Sequence, residues 1–301
     1  MKAILNAIAV FGFSLCPWQA FAALNIVACE PEWGALAQEL AGDKASIYSV
    51  TTALQDAHRI EARPSLIARV RSADLVVCSG SELEIGWLPL LLSQAGNNRI
   101  QPGSPGNLEV SPFVTRLEIP KVLDRSLGDI HPSGNPHVHL DPRNIAKIAD
   151  VMAERLVKLD PANAESYNTR TAAFRARWQS ATQRWQQQAA ALKNVPVVVY
   201  HRDMSYFIQW AGMREAGSLE PKPGIPPTPA HLAELVERMK RDPAKAILYS
   251  PYHDPRAAQF LSERTGIPAV MLPFTVGGSS AATDLFGLFD DTIARLLAAV
   301  K

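Results

Sequence analysis

An α/β protein of two parallel-sheet lobes joined by one long rigid helix is predicted by three observations. Short apolar runs alternate with amphipathic helical patterns along most of the chain. The alternation is interrupted by residues 163–194, which contain neither Gly nor Pro. Beyond them the same strand-and-helix rhythm resumes. The expected organisation is a first lobe over 23–142, a helical connection over 143–194 and a second lobe over 195–301, with any ligand cleft between the lobes.

The elements follow in order. Residues 1–22 read as a cleavable signal peptide: Lys2, an apolar stretch, then Ala20-Phe21-Ala22 before Ala23. The apolar part is about 13 residues, short for a membrane span of roughly 20. Cys16 follows Leu15, where a lipid-attachment box wants a small residue. The mature chain is therefore expected to be exported to the periplasm without a lipid anchor. "LNIVAC", "ASIYSV" and "DLVVCS" read as strands near 24–29, 45–50 and 74–79, and "EWGALAQEL", "PSLIARVR" and "LEIGWLPLLLSQA" as helices. A Gly-, Pro- and Ser-rich loop follows over 97–142.

Asp160-Pro161 then starts the long helix over 163–194, roughly 48 Å at 1.5 Å per residue. Tyr167, Thr171, Phe174, Trp178, Ala181, Trp185, Gln188 and Leu192 fall on one face, as a strut crossing between lobes requires. "VPVVVY", "AILYSP" and "PAVMLP" are the later strands, and "MSYFIQWAG", "PAHLAELVERMK", "RAAQFLSERTG" and "TDLFGLFDDTIARLLAAV" their helices.

Composition is ordinary: 47% hydrophobic, 20% charged, net charge +1 over 301 residues. Without a basic block, nucleic-acid binding is not expected. Cys29 and Cys78 stand at the exits of two predicted strands. Neighbouring parallel strands run about 4.8 Å apart, inside the Cα range of a disulfide, and export permits oxidation. A bridge is expected, with two separate buried thiols as the alternative.

Ligands of open α/β sheets gather outside the carboxyl ends of the strands. Of seven histidines, three have such addresses. His58 leaves the second strand, His137 ends the long loop, and His201 leaves the first strand of the second lobe. Three imidazoles plus water or a carboxylate form an ordinary zinc shell. His139 is two residues from His137 and, in extended chain, faces the other way. His131 in the loop could assist capture, but a solvated role is the reading that suits it better. His231 reads as a helix-surface residue, and His253, leaving another strand, is a reserve ligand. Asp284 is the nearest carboxylate for a fourth position, or simply a helix N-cap. Glu61 could orient His58 from behind.

With those segments in view, the chain resembles the periplasmic zinc- and manganese-binding receptors of ABC metal importers. "QDAHRIEARPS", "NPHVHLDPRN" and "YHRDMSYF" are similar to that family's three histidine segments, in order and around a long helix. The resemblance implies that His58, His137 and His201 ligate Zn(II), carried as cargo by a monomer to the membrane permease of an ABC importer, with no enzymatic activity. Ala57 stands where the family usually has Pro, Asn135 where it has Asp, and His139 where it has Trp. "MLPFTVGG" has Pro and Phe where the family often carries a ligating Asp. Three nitrogens favour zinc over manganese, and affinity should fall as pH drops through the imidazole range near 6.5.

The rigid strut implies small lobe movements on release, with loops 113–136 and 273–284 rearranging. The rivals are the same fold binding manganese or another divalent metal, a periplasmic zinc chaperone, and a His₃ metallohydrolase. The hydrolase would also need a general base, and the chain has no H-E-x-x-H helix or paired-carboxylate motif.

Overall fold

The computed structural model describes residues 23–301, so the signal-peptide reading and Cys16 lie outside the described residues. The first lobe is built from β1 (Leu24–Ala28), α1 (Pro31–Ala41), β2 (Ala45–Ser49), α2 (Pro64–Arg71), β3 (Leu75–Cys78), α3 (Leu88–Ala95) and β4 (Asn107–Glu109). Its sheet has the parallel order β2-β1-β3-β4. Two helices follow, α4 (Pro142–Leu159) and α5 (Ala164–Ala189). The second lobe contains β5 (Pro196–Val199), α6 (Ser205–Ala211), β6 (Arg214–Ser218), α7 (Pro229–Arg241), β7 (Ala246–Tyr249), α8 (Arg256–Thr265), β8 (Ala269–Met271) and α9 (Leu285–Ala299). Its sheet repeats the topology as β6-β5-β7-β8.

The strands are apolar on both faces because both faces are covered. Leu24, Ile26, Ala28, Leu75 and Val77 point into a core shared with α1, α4 and α5. Val27, Cys29, Val76 and Cys78 point the other way, under α2 and α3. The second lobe divides likewise: Val197, Val199, Ala246 and Leu248 join the shared core, while Val198 and Ile247 pack under α7 and α8. One continuous core thus runs through both lobes.

The long helix is the spine of that core. It is flanked by 3₁₀ turns at Pro161–Asn163 and Ala190–Leu192, so its regular part is shorter than the span read from sequence. The expected stripe is buried from Tyr167 to Trp185, but Gln188 is exposed and Ala189 takes its place, four residues after Trp185. Trp178 lies over Phe174 and meets Trp185 and the α9 residues Phe286 and Phe289 edge-on. The polar tips of the stripe are satisfied: Tyr167 donates to Asp160, Trp178 to the Pro142 carbonyl and Trp185 to Asp290.

Three local readings are corrected. Helix α3 starts at Leu88 rather than near 83, because the Glu84 carboxylate accepts the Ser79 and Gly80 N–H groups. Those bonds hold the chain in a turn with Ser81 and Glu82 at positive φ. The edge strands β4 and β6 escaped the apolar pattern: one has Leu108 as its single apolar residue, the other reads "REAGS". Edge positions tolerate such sequences because only one side is hydrogen-bonded.

Cys29 and Cys78 are bridged, with Cα atoms 4.8 Å apart and both side chains buried. The bridge closes a loop with sequence separation 49. Replacing both cysteines by Ser should cost about 2–4 kcal/mol of stability, read as a lowered urea midpoint. An unchanged midpoint would show that the strand pairing alone holds this end of the sheet.

Candidate metal centre

The carboxyl ends of the two sheets face one another, and the residues leaving them build the site. After β2, Asp56 accepts the His58 N–H at 3.0 Å, a local turn that aligns the two side chains. The same oxygen accepts from His58 Nδ1 at 2.7 Å. Burial would push the Asp56 carboxyl up, but its hydrogen bonds with His58 and the charge beside it hold it at about 2. In the second lobe His201 leaves β5, and its Nδ1 donates to Glu220 Oε2 at 2.7 Å. Burial pulls the His201 imidazole down, yet the bond to Glu220 and the charges of Asp203 and Glu220 raise it overall. Each carboxylate fixes a tautomer with Nε2 free, as in carboxylate–histidine–metal arrangements.

His137 completes the group. Asn135 Oδ1 accepts its backbone N–H at 3.0 Å, while both ring nitrogens are buried without a partner. Burial, reinforced by the neighbouring histidines, holds this imidazole well below the usual range, so it stays neutral. The ring centroids of His58, His137 and His201 stand 5.7, 5.8 and 5.9 Å apart, nearly an equilateral triangle. One ligand nitrogen from each lies within 4.8 Å of the others. Phe274 closes one side of the triangle, its ring edge-on to His137 at 5.2 Å.

The other candidates lie elsewhere or in other roles. Asp284 is exposed and caps α9, accepting the Gly287 N–H at 2.7 Å; the structure does not bring it to the histidines. Glu61 is exposed, and Asp56 does the orienting proposed for it. His139 turns away from the triangle: its Nε2 donates to the Phe274 carbonyl at 2.9 Å and its Nδ1 lies 3.0 Å from Glu32. His253 stacks on Tyr200, and its Nδ1 accepts the Ser250 N–H. That leaves the proton on Nε2 of the neutral ring, so neither nitrogen offers a lone pair. His231 donates to the Ser218 carbonyl.

His131 approaches the group from the loop, its Nε2 3.2 Å from His58 Nε2. Burial, with the His58 imidazole beside it, brings its own imidazole down to about 4. Asp56 had a legible signal, two residues before a candidate ligand. Glu220, 19 residues beyond His201, had none.

The family model "Zinc-uptake complex component A periplasmic" matches residues 26–299, almost the whole described chain. The chain belongs to that family. Members of the zinc-uptake component A family are substrate-binding components of ABC transporters, exported rather than cytoplasmic, and are not enzymes.

The relatives of this family member are distant. The metal ABC transporter substrate-binding lipoprotein FimA of Streptococcus parasanguinis is 24% identical over 260 residues, covering 84% of this chain and 80% of that protein. The manganese ABC transporter substrate-binding lipoprotein PsaA of Streptococcus pneumoniae gives the same figures. The zinc-binding lipoprotein AdcA of Streptococcus pneumoniae (strain ATCC BAA-255 / R6) is 24% identical over 257 residues, covering 84% of this chain but 50% of its own length. Among solved structures, a crystal structure of ZnuA superposes with a TM-score of 0.77 at 20% identity, covering 93% of this chain and all of that one. This establishes the two-lobed fold.

The charge states predict an ordered titration of the metal-free protein. Imidazole nitrogen shifts followed by NMR should show His201 protonating above pH 6.5, and His131 only near 4. His137 should remain neutral throughout the range between. Protonation of His137 before His201 would contradict the assigned roles of Glu220 and burial.

Proposed function

We propose that the protein is a periplasmic receptor that captures Zn²⁺ with His58, His137 and His201 and delivers it to the membrane permease of an ABC importer. In this reading residues 1–22 are a cleaved signal, and the monomeric receptor grips the ion between lobes 23–142 and 195–301, bridged by 143–194. The observation that carries the assignment is the pair of carboxylate-backed imidazoles, one from each lobe. They converge on a third imidazole with no protein partner for either nitrogen. Unpartnered buried nitrogens are costly unless something binds them.

The donor chemistry supports zinc within a family whose relatives are named for zinc and for manganese. Imidazole suits zinc, whereas manganese favours carboxylate and water oxygens. The aromatic ring of Phe274 stands against His137, and Asp284 is occupied as a helix cap. A manganese receptor would be expected to offer at least one carboxylate as a ligand. Asp56 and Glu220 are instead turned to the Nδ1 atoms behind the rings.

Titration of the metal-stripped protein with Zn²⁺ against a competing chelator tests the assignment. Structural zinc with four protein ligands gains about 10–16 kcal/mol, so each ligand supplies roughly 3 kcal/mol, about a 100-fold change in affinity. His58→Ala, His137→Ala and His201→Ala should each weaken binding by about that factor. Asp56→Asn and Glu220→Gln should weaken it by about 10- to 100-fold. Wild-type affinity in all three histidine variants would remove the site, and tighter binding of Mn²⁺ than Zn²⁺ would change the cargo. Stimulation of the permease's ATPase by the zinc-loaded receptor would separate an importer component from a free chaperone.

A further inference from the structure

The disulfide end of the first sheet carries acidic groups that a purely structural bridge does not need. We propose that Cys29, Cys78 and Glu84 form a second metal site, closed while the cysteines are bridged. Once they are reduced, it takes a thiophilic divalent cation of the zinc class. It shares no ligand with the histidine triangle and stands independently of the receptor reading above.

Cys29 follows β1 directly and Cys78 is the last residue of β3. Their sulfurs and one Glu84 oxygen all lie within 4.8 Å of one another, and all three residues are buried. Two thiolates and a carboxylate are a zinc donor set, with Zn–S bonds of about 2.3 Å. A tetrahedral shell then separates the two sulfurs by about 3.8 Å. Side-chain rotation reaches that spacing from Cα atoms 4.8 Å apart, with no shift of the strands.

Backbone donors fix the carboxylate in place. Glu84 Oε1 accepts the Ser79 N–H at 2.8 Å and Oε2 the Gly80 N–H at 3.1 Å, immediately beyond Cys78. Glu30, the residue after Cys29, stands alongside. Its Oε2 accepts the Ser79 N–H and hydroxyl, each at 3.2 Å, while its Oε1 is buried without a partner. Glu30 and Glu84 are 2% and 3% exposed. What acts on them is each other, Glu32 and backbone N–H groups, not a cation. Burial, then the Glu84 and Glu32 charges, push Glu30 well above the usual carboxylate range, and burial pushes Glu84 up to about 7. Buried carboxyl groups without a cation are costly, and an ion between Glu84 and the sulfurs supplies the missing positive charge. Glu30 lies outside the ligand set and steadies Glu84 from behind. A cavity of about 240 Å³, bordered by Gly80, Ser81, Glu84 and the exposed Ile85, gives the ion its route.

A dithiol reductant opens the site. One of its thiolates attacks a cystine sulfur, the S–S bond breaks, and its second thiol closes a disulfide on the reductant. Two electrons and two protons thereby pass to Cys29 and Cys78. Binding of the cation releases both thiol protons and any proton on Glu84, and water fills the fourth position.

Cobalt(II) binding to residues 23–301 tests this in the background His58→Ala/His137→Ala/His201→Ala, which silences the triangle. After treatment with dithiothreitol and its removal without air, the protein should bind Co²⁺ with a thiolate-to-cobalt charge-transfer band in the near ultraviolet. The oxidised protein should show no such band. Adding Cys29→Ser/Cys78→Ser should abolish it, and Glu84→Gln should weaken binding by about 100-fold. No band from the reduced protein, or unchanged affinity in Glu84→Gln, overturns the site.

A second measurement separates a folded site from metal capture by an unfolded chain. Zn²⁺ should raise the urea midpoint of the reduced background variant and leave its oxidised form unchanged, because an ion bound to the native state stabilises it. A midpoint of the reduced form that falls or stays put overturns the proposal, since the thiols then take metal only from the unfolded chain or not at all.

Discussion

The histidine triangle depends on burial of the α5 aromatic stripe in a core common to both sheets. Each lobe supplies imidazoles from loops beyond its strands, so the spacing of the rings is set by the relative placement of two sheets. Independent lobes on a flexible linker would let that spacing drift by many ångströms. Here Phe174, Trp178 and Trp185 pack with residues of α9 from the second lobe, while α1 and α4 of the first half join the same core. Burial of several large aromatics, each contributing about 1.5–3 kcal/mol, makes a wide hinge opening expensive.

That constraint explains why the polar connections between lobes are concentrated beside the histidines. Asn135 accepts the His137 N–H while its Nδ2 donates to Glu118 and to the Arg202 carbonyl of the second lobe. An aspartate at this position could accept from His137 but could donate to neither group, so Asn adds a tie that Asp lacks. Tyr206 of α6 donates to the Asn135 carbonyl and accepts the Leu117 N–H, anchoring both ends of the intervening loop. The loop that carries His131 is thus fixed at its ends.

Much of this was legible in the sequence, for physical reasons. The central strands β1, β3, β5 and β7 are runs of largely apolar side chains because helices cover both faces, whereas β4 and β6 at the edges are read through backbone pairing that no side-chain pattern announces. His58, His137 and His201 could be singled out because strand exits are where open sheets bind ligands, and the structure gathers those three. The partners that set their protonation were less visible. Asp56 is a local turn neighbour, but Glu220 reaches His201 only because β6 lies beside β5. Asp284 illustrates the converse: Asp before an apolar helix is favoured for capping, and that role occupies it fully.

The departures from the family pattern form a connected set rather than isolated changes. His139 stands where the resemblance implies a tryptophan, and Phe274 lies in the segment where it implies a ligating Asp; the two rings meet edge-on at 5.0 Å. His139 also donates to the Phe274 carbonyl, and Glu32, beside His139, accepts from the Thr275 hydroxyl. The segment that carries Phe274 is therefore held to the first lobe by polar bonds from α1 and from the 138–140 turn. A tryptophan at 139 could supply one indole donor but could not also place a second ring nitrogen beside Glu32. With that segment pinned, Phe274 is pressed onto His137, the imidazole of the triangle that lacks a carboxylate behind it. Packing does for His137 what Asp56 and Glu220 do for the other two rings. A site whose third imidazole is steadied by an aromatic wall gains rigidity from packing where the other two gain it from carboxylates.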